Sequence, residues 1–179
     1  MIWRRSGEQP CRNRTKWLER ARHEDSPVKI TIAAVGRIKA GPEKVLWDQY
    51  ARRLTWPLAL KEVEERNPLK PAKLKQKEAE LLLSAVPSGA CIVALDKAGK
   101  AYSSKNLAAQ FDRWMNDGPS DIAFVIGGAE GLDKSILDQA ALKLAMGAMT
   151  WPHMLARGLL AEQIYRAQCI LSGHPYHKQ

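Results

Sequence analysis

The fold is decided by residues 121–153, which read DIAFVIGGAEGLDKSILDQAALKLAMGAMTWPH. The stretch begins with an apolar run at 121–126, which is typical of a strand buried on both faces. A glycine-rich loop follows, and then come a helical pattern at 132–141, a short apolar run at 142–146 and the start of a helix at His153. A strand, a crossover helix and a second strand in this order indicate a parallel sheet.

The same alternation extends toward the N-terminus. Further strands are predicted at 28–35, 58–63 and 90–95, of which the second is half-covered because apolar and polar residues alternate in it. Helices are predicted at 43–54 after Pro42, at 73–86, at 103–115 with Ser103 or Ser104 as N-cap, and at 153–171. The chain is therefore expected to be an α/β protein with a mainly parallel sheet flanked by helices.

Size, charge and cysteine content narrow the class of protein. A chain of 179 residues suffices for one domain with a full core, and its net charge of +9 indicates an anionic partner, with nucleic acid first and a membrane surface second. Cys11, Cys91 and Cys169 are widely spaced and lack the spacing of metal ligands, which favours a reducing, cytoplasmic location and no metal. No apolar run approaches the ~20 residues of a membrane-spanning helix, and no signal peptide is expected.

Residues 1–27 differ from the rest of the chain. They are rich in arginine and poor in aliphatic side chains, so they can bury little and are expected to be disordered or a loose helix. They are either a basic arm that binds RNA or the product of a start codon placed too early. The second interpretation is favoured, with one domain over 28–179.

Three predicted strands end in polar or glycine-rich segments, at 95–99, 126–131 and 146–153. Because ligands of open parallel sheets bind beyond the carboxyl ends of the strands, these segments are candidates for a binding site. The loop at 127–131 lacks the Gly-Lys-Ser/Thr of a phosphate loop and the spacing of a dinucleotide fingerprint. Since Glu130 would also repel phosphate, the loop favours a neutral or cationic ligand, unless it is only a turn.

The last helix carries paired charges. Glu162 and Arg166 are four residues apart and can pair, whereas Arg157 and Arg166 face opposite sides of an ideal helix. Such a pair stabilises a helix by only about 0.3 kcal/mol, so stability alone would not explain it. Tyr165, read in isolation, is typical of a core residue. The terminal SGHPYHKQ at 172–179 contains a proline and an aromatic residue, which favour a docked tail over a flexible one.

Four C-terminal stretches, taken together, resemble one family. IGGAEGLD at 126–133, MTWPHMLAR at 149–157, LLAEQIYRA at 159–167 and LSGHPYHK at 171–178 are similar to the RlmH type of ribosomal RNA methyltransferase. AVGRIKAGPEK at 34–44 is similar to the first strand and loop of that family. The resemblance covers about residues 28–179, and the four motifs in this order and spacing make it specific.

The resemblance implies a SPOUT methyltransferase fold, in which an α/β sheet carries a deep C-terminal trefoil knot. It implies a homodimer with a composite active site, S-adenosylmethionine as co-substrate, and methylation of N3 of a pseudouridine in 23S ribosomal RNA on the ribosome. Carried over by position, the cofactor-binding residues are Leu95, Gly127, Met146, Gly147, Ala148, Met149, Thr150 and Trp151. The implied catalytic residues are Arg166 for positioning or anion stabilisation, His177 for proton handling, Tyr176 for stacking on the base, and His174.

Two other functions remain open at the level of sequence. A non-catalytic protein that binds RNA or the ribosome on a degenerate knot fold would bind no cofactor. A nucleotide-binding enzyme of the doubly wound class would bind phosphates, and the missing phosphate-loop lysine disfavours it.

Overall fold

A computed structural model describes residues 28–119 and 121–178, so the predictions for residues 1–27 lie outside the described part. Within it, the strands are β1 (Lys29–Val35), β2 (Leu58–Val63), β3 (Cys91–Ala101), β4 (Asp121–Ile126) and β5 (Leu142–Ala145). The helices are α1 (Pro42–Ala51), α2 (Pro71–Ala85), α3 (Ser104–Asp117), α4 (Lys134–Gln139) and α5 (His153–Ser172), followed by a 3₁₀ turn at Pro175–Lys178.

The five strands form one sheet in the order β2-β1-β4-β3-β5, and every pairing between them is parallel. Side chains alternate between the faces of a strand, and the core divides accordingly. Ile30 and Ile32 of β1 pack with residues of α1, α3 and α5 on one face, whereas Ala33 and Val35 pack with α2 and α4 on the other. The predicted α/β architecture with a parallel sheet is confirmed.

The predicted end of β3 is wrong. The strand continues to Ala101 instead of stopping at Leu95, and both Leu95 and Lys100 pair with Leu144 across an irregularity in the ladder. The polar residues between Leu95 and Lys100 bulge out of the ladder. The sequence pattern predicts that these residues follow the strand as a loop. At Gly99 a Cβ atom would lie 2.6 Å from the carbonyl carbon of Lys143, so the bulge depends on a residue without a side chain.

The predicted helix at 132–141 is too long. Asp133 caps α4 by accepting a hydrogen bond from the Ser135 backbone nitrogen at 2.9 Å, so the helix cannot begin earlier. Ala141 already donates its backbone N–H to Ile92 of β3 at 2.9 Å, which draws the chain into the sheet. At the other helices the predicted starts are close, and Ser103 caps α3 through the backbone N–H of Asn106.

The helices and the cysteines were also considered in the sequence analysis, as signs of a membrane protein and of a metal site. Among residues 28–119 and 121–178, no helix has the length and apolar character needed to cross a bilayer. Cys169 is buried and Cys91 half-buried, and both are free thiols.

Candidate active site

A cavity of about 820 Å³ opens at the carboxyl ends of β4 and β5 and at the bulge of β3 that follows Leu95. It lies where an open parallel sheet is expected to bind a ligand. Of the residues predicted to hold a cofactor, Leu95, Gly127, Met146, Gly147, Met149, Thr150 and Trp151 line this cavity. Ala148, also predicted, is exposed between two of them and is not part of the lining.

The walls of this cavity offer both apolar surface and charge. Leu95, Ile126 and Leu132 contribute aliphatic surface. Among the described residues, the charged groups at the cavity are Lys75, Asp96, Lys97 and Glu130. With two cations and two carboxylates, the cavity suits a ligand that carries both signs of charge better than it suits a polyphosphate.

The loop from Met146 to Trp151 forms one side of the cavity. Gly147 has a φ of 105°, a conformation that side chains disfavour, so a glycine is needed where the chain leaves β5. The indole nitrogen of Trp151 donates a hydrogen bond to the carbonyl oxygen of Met146 at 3.1 Å and so closes the loop. Met149 remains 73% exposed, which leaves a large apolar side chain available to a ligand or partner.

A second cavity of about 390 Å³ lies on the other side of the same loop. Leu144, Met146, Gly147 and Trp151 line both cavities, so the loop separates them. The second cavity is bounded by Tyr102 and Ser104 near the start of α3, and by Glu162 and Gln163 of α5. The Ser104 hydroxyl donates to the Gln163 side-chain oxygen at 2.8 Å, which ties α3 to α5 at this cavity.

A buried arginine anchors the start of α5 to the sheet. Arg157 is 0% exposed, and its guanidinium donates to Glu62 of β2 at 2.6 Å and to the carbonyl oxygens of Val35 and Gly36. Glu62 also accepts the backbone N–H of Ile38 at 2.7 Å, so one carboxylate holds both α5 and the loop after β1. Burial lowers the pKa of Arg157, and Glu62 opposes that shift.

His153 is the first residue of α5 and lines the larger cavity. Burial, and secondarily the neighbouring Arg157, lowers the pKa of its imidazole. The ring is therefore neutral near pH 7 and can accept a hydrogen bond or a proton.

The predicted pair on α5 exists and is joined by the tail. Arg166 donates to one oxygen of Glu162 at 2.8 and 2.6 Å, and the Tyr176 hydroxyl donates to the same oxygen at 3.0 Å. The Arg166 guanidinium carbon lies 4.9 Å from the centroid of the Tyr176 ring. The tail is therefore docked, and a cation, a phenol and a carboxylate meet beside α5.

The surroundings of Arg166 and Tyr176 raise the pKa of both side chains. The hydrogen bonds that Arg166 donates to Glu162 raise the pKa of Arg166, so the guanidinium stays charged. Burial, and then the hydrogen bonds and charge of its neighbours, raises the pKa of Tyr176 well above that of a free phenol. Tyr176 consequently remains a neutral hydrogen-bond donor at physiological pH.

Two residues of α1 and its C-terminal turn belong to this neighbourhood, although no pattern was used to predict them. The Tyr50 hydroxyl lies 3.1 Å from that of Tyr176, and the Arg53 guanidinium carbon lies 5.8 Å from the Tyr50 ring centroid. Tyr165 packs its ring on Tyr176 at 4.9 Å, so it is a half-buried part of the cluster and not simply a core residue. The spacing of three between Tyr50 and Arg53, which puts them on one side of a helical turn, is the signal available in the sequence.

The two histidines of the tail differ in what the structure describes. The ring of exposed His174 accepts the backbone N–H of Tyr176 at 3.2 Å, which shapes the turn. The backbone of His177 lies in the 3₁₀ turn, whereas its side chain lies outside the described part.

Within residues 28–119 and 121–178, no group of three or more His, Cys, Asp or Glu side chains is arranged to hold a metal ion.

A family model and curated relatives both match this chain and point to the same family of methyltransferases. The family model described as "Predicted SPOUT methyltransferase" matches residues 28–177. Curated proteins named ribosomal RNA large subunit methyltransferase H are similar to this chain. The protein from Rhodospirillum centenum is 54% identical over 151 residues, and that from Rhodospirillum rubrum is 53% identical over 151 residues. Each match covers 84% of this chain and 99% of the relative.

A solved methyltransferase from Legionella pneumophila, in complex with bound S-adenosylmethionine, gives a TM-score of 0.42 at 15% identity. That match covers 79% of this chain and 67% of the other.

Proposed function

Since the chain belongs to the SPOUT methyltransferases, and within them to the ribosomal RNA large subunit methyltransferase H family, we propose that it methylates N3 of a pseudouridine in 23S ribosomal RNA. By family it is an S-adenosylmethionine-dependent ribosomal RNA methyltransferase. The observation that carries the proposal is the larger cavity, which the predicted loop from Met146 to Trp151 borders at the carboxyl edge of the sheet.

The cavity fits S-adenosylmethionine on chemical grounds. The molecule combines an adenine ring with a sulfonium and a zwitterionic amino-acid end, and it contains no phosphate. Leu95, Ile126 and Met146 would hold the ring, and the backbone of 147–150 would read its polar edge. The carboxylates of the cavity match the sulfonium and the ammonium of this molecule, and the cations of the cavity match its carboxylate. When bound, S-adenosylmethionine supplies an already activated methyl group.

With an activated methyl group, the tasks left to the protein are alignment of the base and removal of the N3 proton. Arg166 is a permanent cation, and we assign it to stabilising the imide anion as the proton leaves. Glu162 and Tyr176 hold Arg166 in place. We assign His177 to handling the proton and Tyr176 to stacking on the base. His174 shapes the tail that carries both residues.

The positions of these groups support a composite site in a homodimer. Among the described residues, neither Arg166 nor Tyr176 lines the larger cavity, and Glu162 borders the smaller one. A second subunit would bring its tail to the cofactor cavity of the first. The proposal includes the deep trefoil knot of the C-terminal segment and a cytoplasmic enzyme acting on assembled ribosomes.

The test is transfer of labelled methyl from S-adenosylmethionine to 70S ribosomes from a strain that lacks this modification. Nuclease digestion and mass spectrometry then locate the label. Free 23S RNA and isolated 50S subunits, assayed in parallel, identify the form of the substrate. We expect label on a pseudouridine of the 23S RNA, with 70S ribosomes as the best substrate.

Label on a different nucleotide would overturn the assignment of the base while leaving the enzyme class. An absence of transfer together with an absence of cofactor binding by calorimetry would contradict the proposal and favour a protein that only binds RNA.

A further inference from the structure

Arg53 is an exposed cation without a carboxylate partner in the described part of the chain. It follows α1, and its backbone N–H donates to the carbonyl oxygen of Tyr50 at 3.0 Å, which closes the last turn. Its guanidinium carbon lies 5.8 Å from the ring centroid of Tyr50 and 5.9 Å from that of Tyr165. The two rings hold the cation through cation–π attraction while leaving it open to solvent.

The rings under Arg53 are continuous with the cluster on α5. Tyr50 and Tyr165 contact each other with centroids 6.1 Å apart, and Tyr165 contacts Tyr176 at 4.9 Å. The tail therefore connects Arg53 to Arg166 through a row of three aromatic rings. Arg53 at one end has no carboxylate partner among the described residues, whereas Arg166 at the other end donates through Nε and Nη2 to Glu162.

We propose that Arg53 binds a backbone phosphate of the ribosomal RNA next to the modified nucleotide, and that the Tyr50 and Tyr165 rings pre-organise its guanidinium for this contact. The planar guanidinium donates two parallel hydrogen bonds to a phosphate, a geometry that lysine cannot reproduce. Phosphate contacts of this kind fix the register of a protein on a nucleic acid. The inference rests on the proposed function, because that function supplies the RNA.

A purely structural role for Arg53 makes a different prediction. A cation at the C-terminal end of a helix stabilises the helix dipole, and its loss would lower stability without changing the salt dependence of RNA binding. The slope of affinity against salt counts released counterions and therefore reports a phosphate contact directly.

The neighbouring Arg52 provides a matched control. It is equally a surface arginine, but its side chain donates to the carbonyl oxygen of Asp48 at 3.0 Å and lies over no ring in the described structure. The experiment measures equilibrium binding of the full chain to 70S ribosomes over a series of KCl concentrations. Steady-state methyl transfer and the melting temperature are measured on the same preparations.

We expect Arg53→Ala to weaken ribosome binding roughly tenfold and to reduce the slope of log affinity against log salt by about 1. KM for ribosomes should rise more than kcat falls. Arg53→Lys should keep the slope but recover only part of the affinity, and Arg52→Ala should change affinity less than about twofold.

An unchanged salt slope in Arg53→Ala, or equal losses in the two alanine variants, would overturn the proposal. If Arg53→Ala has a lower melting temperature than wild type, Arg53→Lys is compared with wild type instead. Equal ribosome affinity in those two proteins would contradict the proposed bidentate contact with phosphate. Because binding is measured without methyl transfer, failure of the inferred contact is distinct from failure of the proposed reaction.

Discussion

Arg157 is the largest fully buried side chain in the described part of the chain, although it is charged. The sequence predicts only that it faces away from Arg166 on α5. Its partner Glu62 lies 95 residues earlier on β2, and this pairing depends on how the sheet and helix pack, which local periodicity does not report. Its Nε group has no hydrogen-bond partner among the residues that the structure describes, so the remaining donors of the guanidinium form the anchor.

Replacing Arg157 with Met should destabilise the protein by about 3 kcal/mol, because Glu62 is left without its buried partner. Urea unfolding followed by circular dichroism measures the change. Lys77→Met is the control, since Lys77 forms an exposed pair with Glu80 whose loss should cost at most about 0.5 kcal/mol. Equal losses in the two variants would contradict the role of Arg157 as an anchor.

His153 should make stability depend on pH. Burial and then Arg157 lower the pKa of its ring in the folded state, whereas an unfolded imidazole titrates near about 6.5. Below that pH the unfolded chain binds more protons than the folded chain, so stability is lost as the pH falls toward the lowered pKa. Wild type should therefore lose more unfolding free energy than His153→Gln as acid is added. Parallel stability curves for the two proteins would show that His153 does not contribute.

At the scale of elements, apolar periodicity predicts the strands well and the ends of irregular elements poorly. The strands at 58–63 and 121–126 match because their patterns are complete and turn residues bound them. β3 runs past its predicted end because backbone pairing with β5 resumes after the bulge, and no side-chain pattern encodes that. α4 is shorter than predicted because the cap at Asp133 and pairing at the sheet edge outweigh helical propensity.

The crossing of α1 and α5 gives an element-scale prediction. Gly158 lies inside α5, where Gly→Ala would ordinarily stabilise a helix by about 1 kcal/mol. Here an added Cβ would lie 2.7 Å from Cδ2 and 2.8 Å from Cγ of Leu46. Gly158→Ala should therefore destabilise the protein, by about 1 kcal/mol net, in a thermal or urea unfolding experiment.

The double variant Gly158→Ala/Leu46→Ala tests the cause. Removing the bulk of Leu46 should relieve the contact, so the two substitutions together should cost less than the sum of the separate changes. A more stable Gly158→Ala single variant would mean that the helices adjust freely and that the close approach is unimportant.

At the scale of the whole molecule, sequence reasoning anticipates the cavity better than the cluster. Residues that follow strands meet at the same edge of a parallel sheet, so the loop from Met146 to Trp151 and Gly127 could be placed together in advance. The hydrogen bond between the hydroxyls of Tyr176 and Tyr50 joins the tail to α1 over 126 positions and has no local signature. Nor does any motif reveal that one loop lies between two cavities.

We propose that two sites have separate roles, in which the larger cavity holds the cofactor and the cluster of Glu162, Arg166 and Tyr176 acts on the RNA. The rate of methyl transfer to 70S ribosomes by Arg166→Met, at saturating S-adenosylmethionine, tests it most directly. We expect a loss of roughly 100-fold or more, with cofactor affinity by calorimetry within about twofold of wild type. Transfer at the wild-type rate, or a loss matched by lost cofactor affinity, would contradict it.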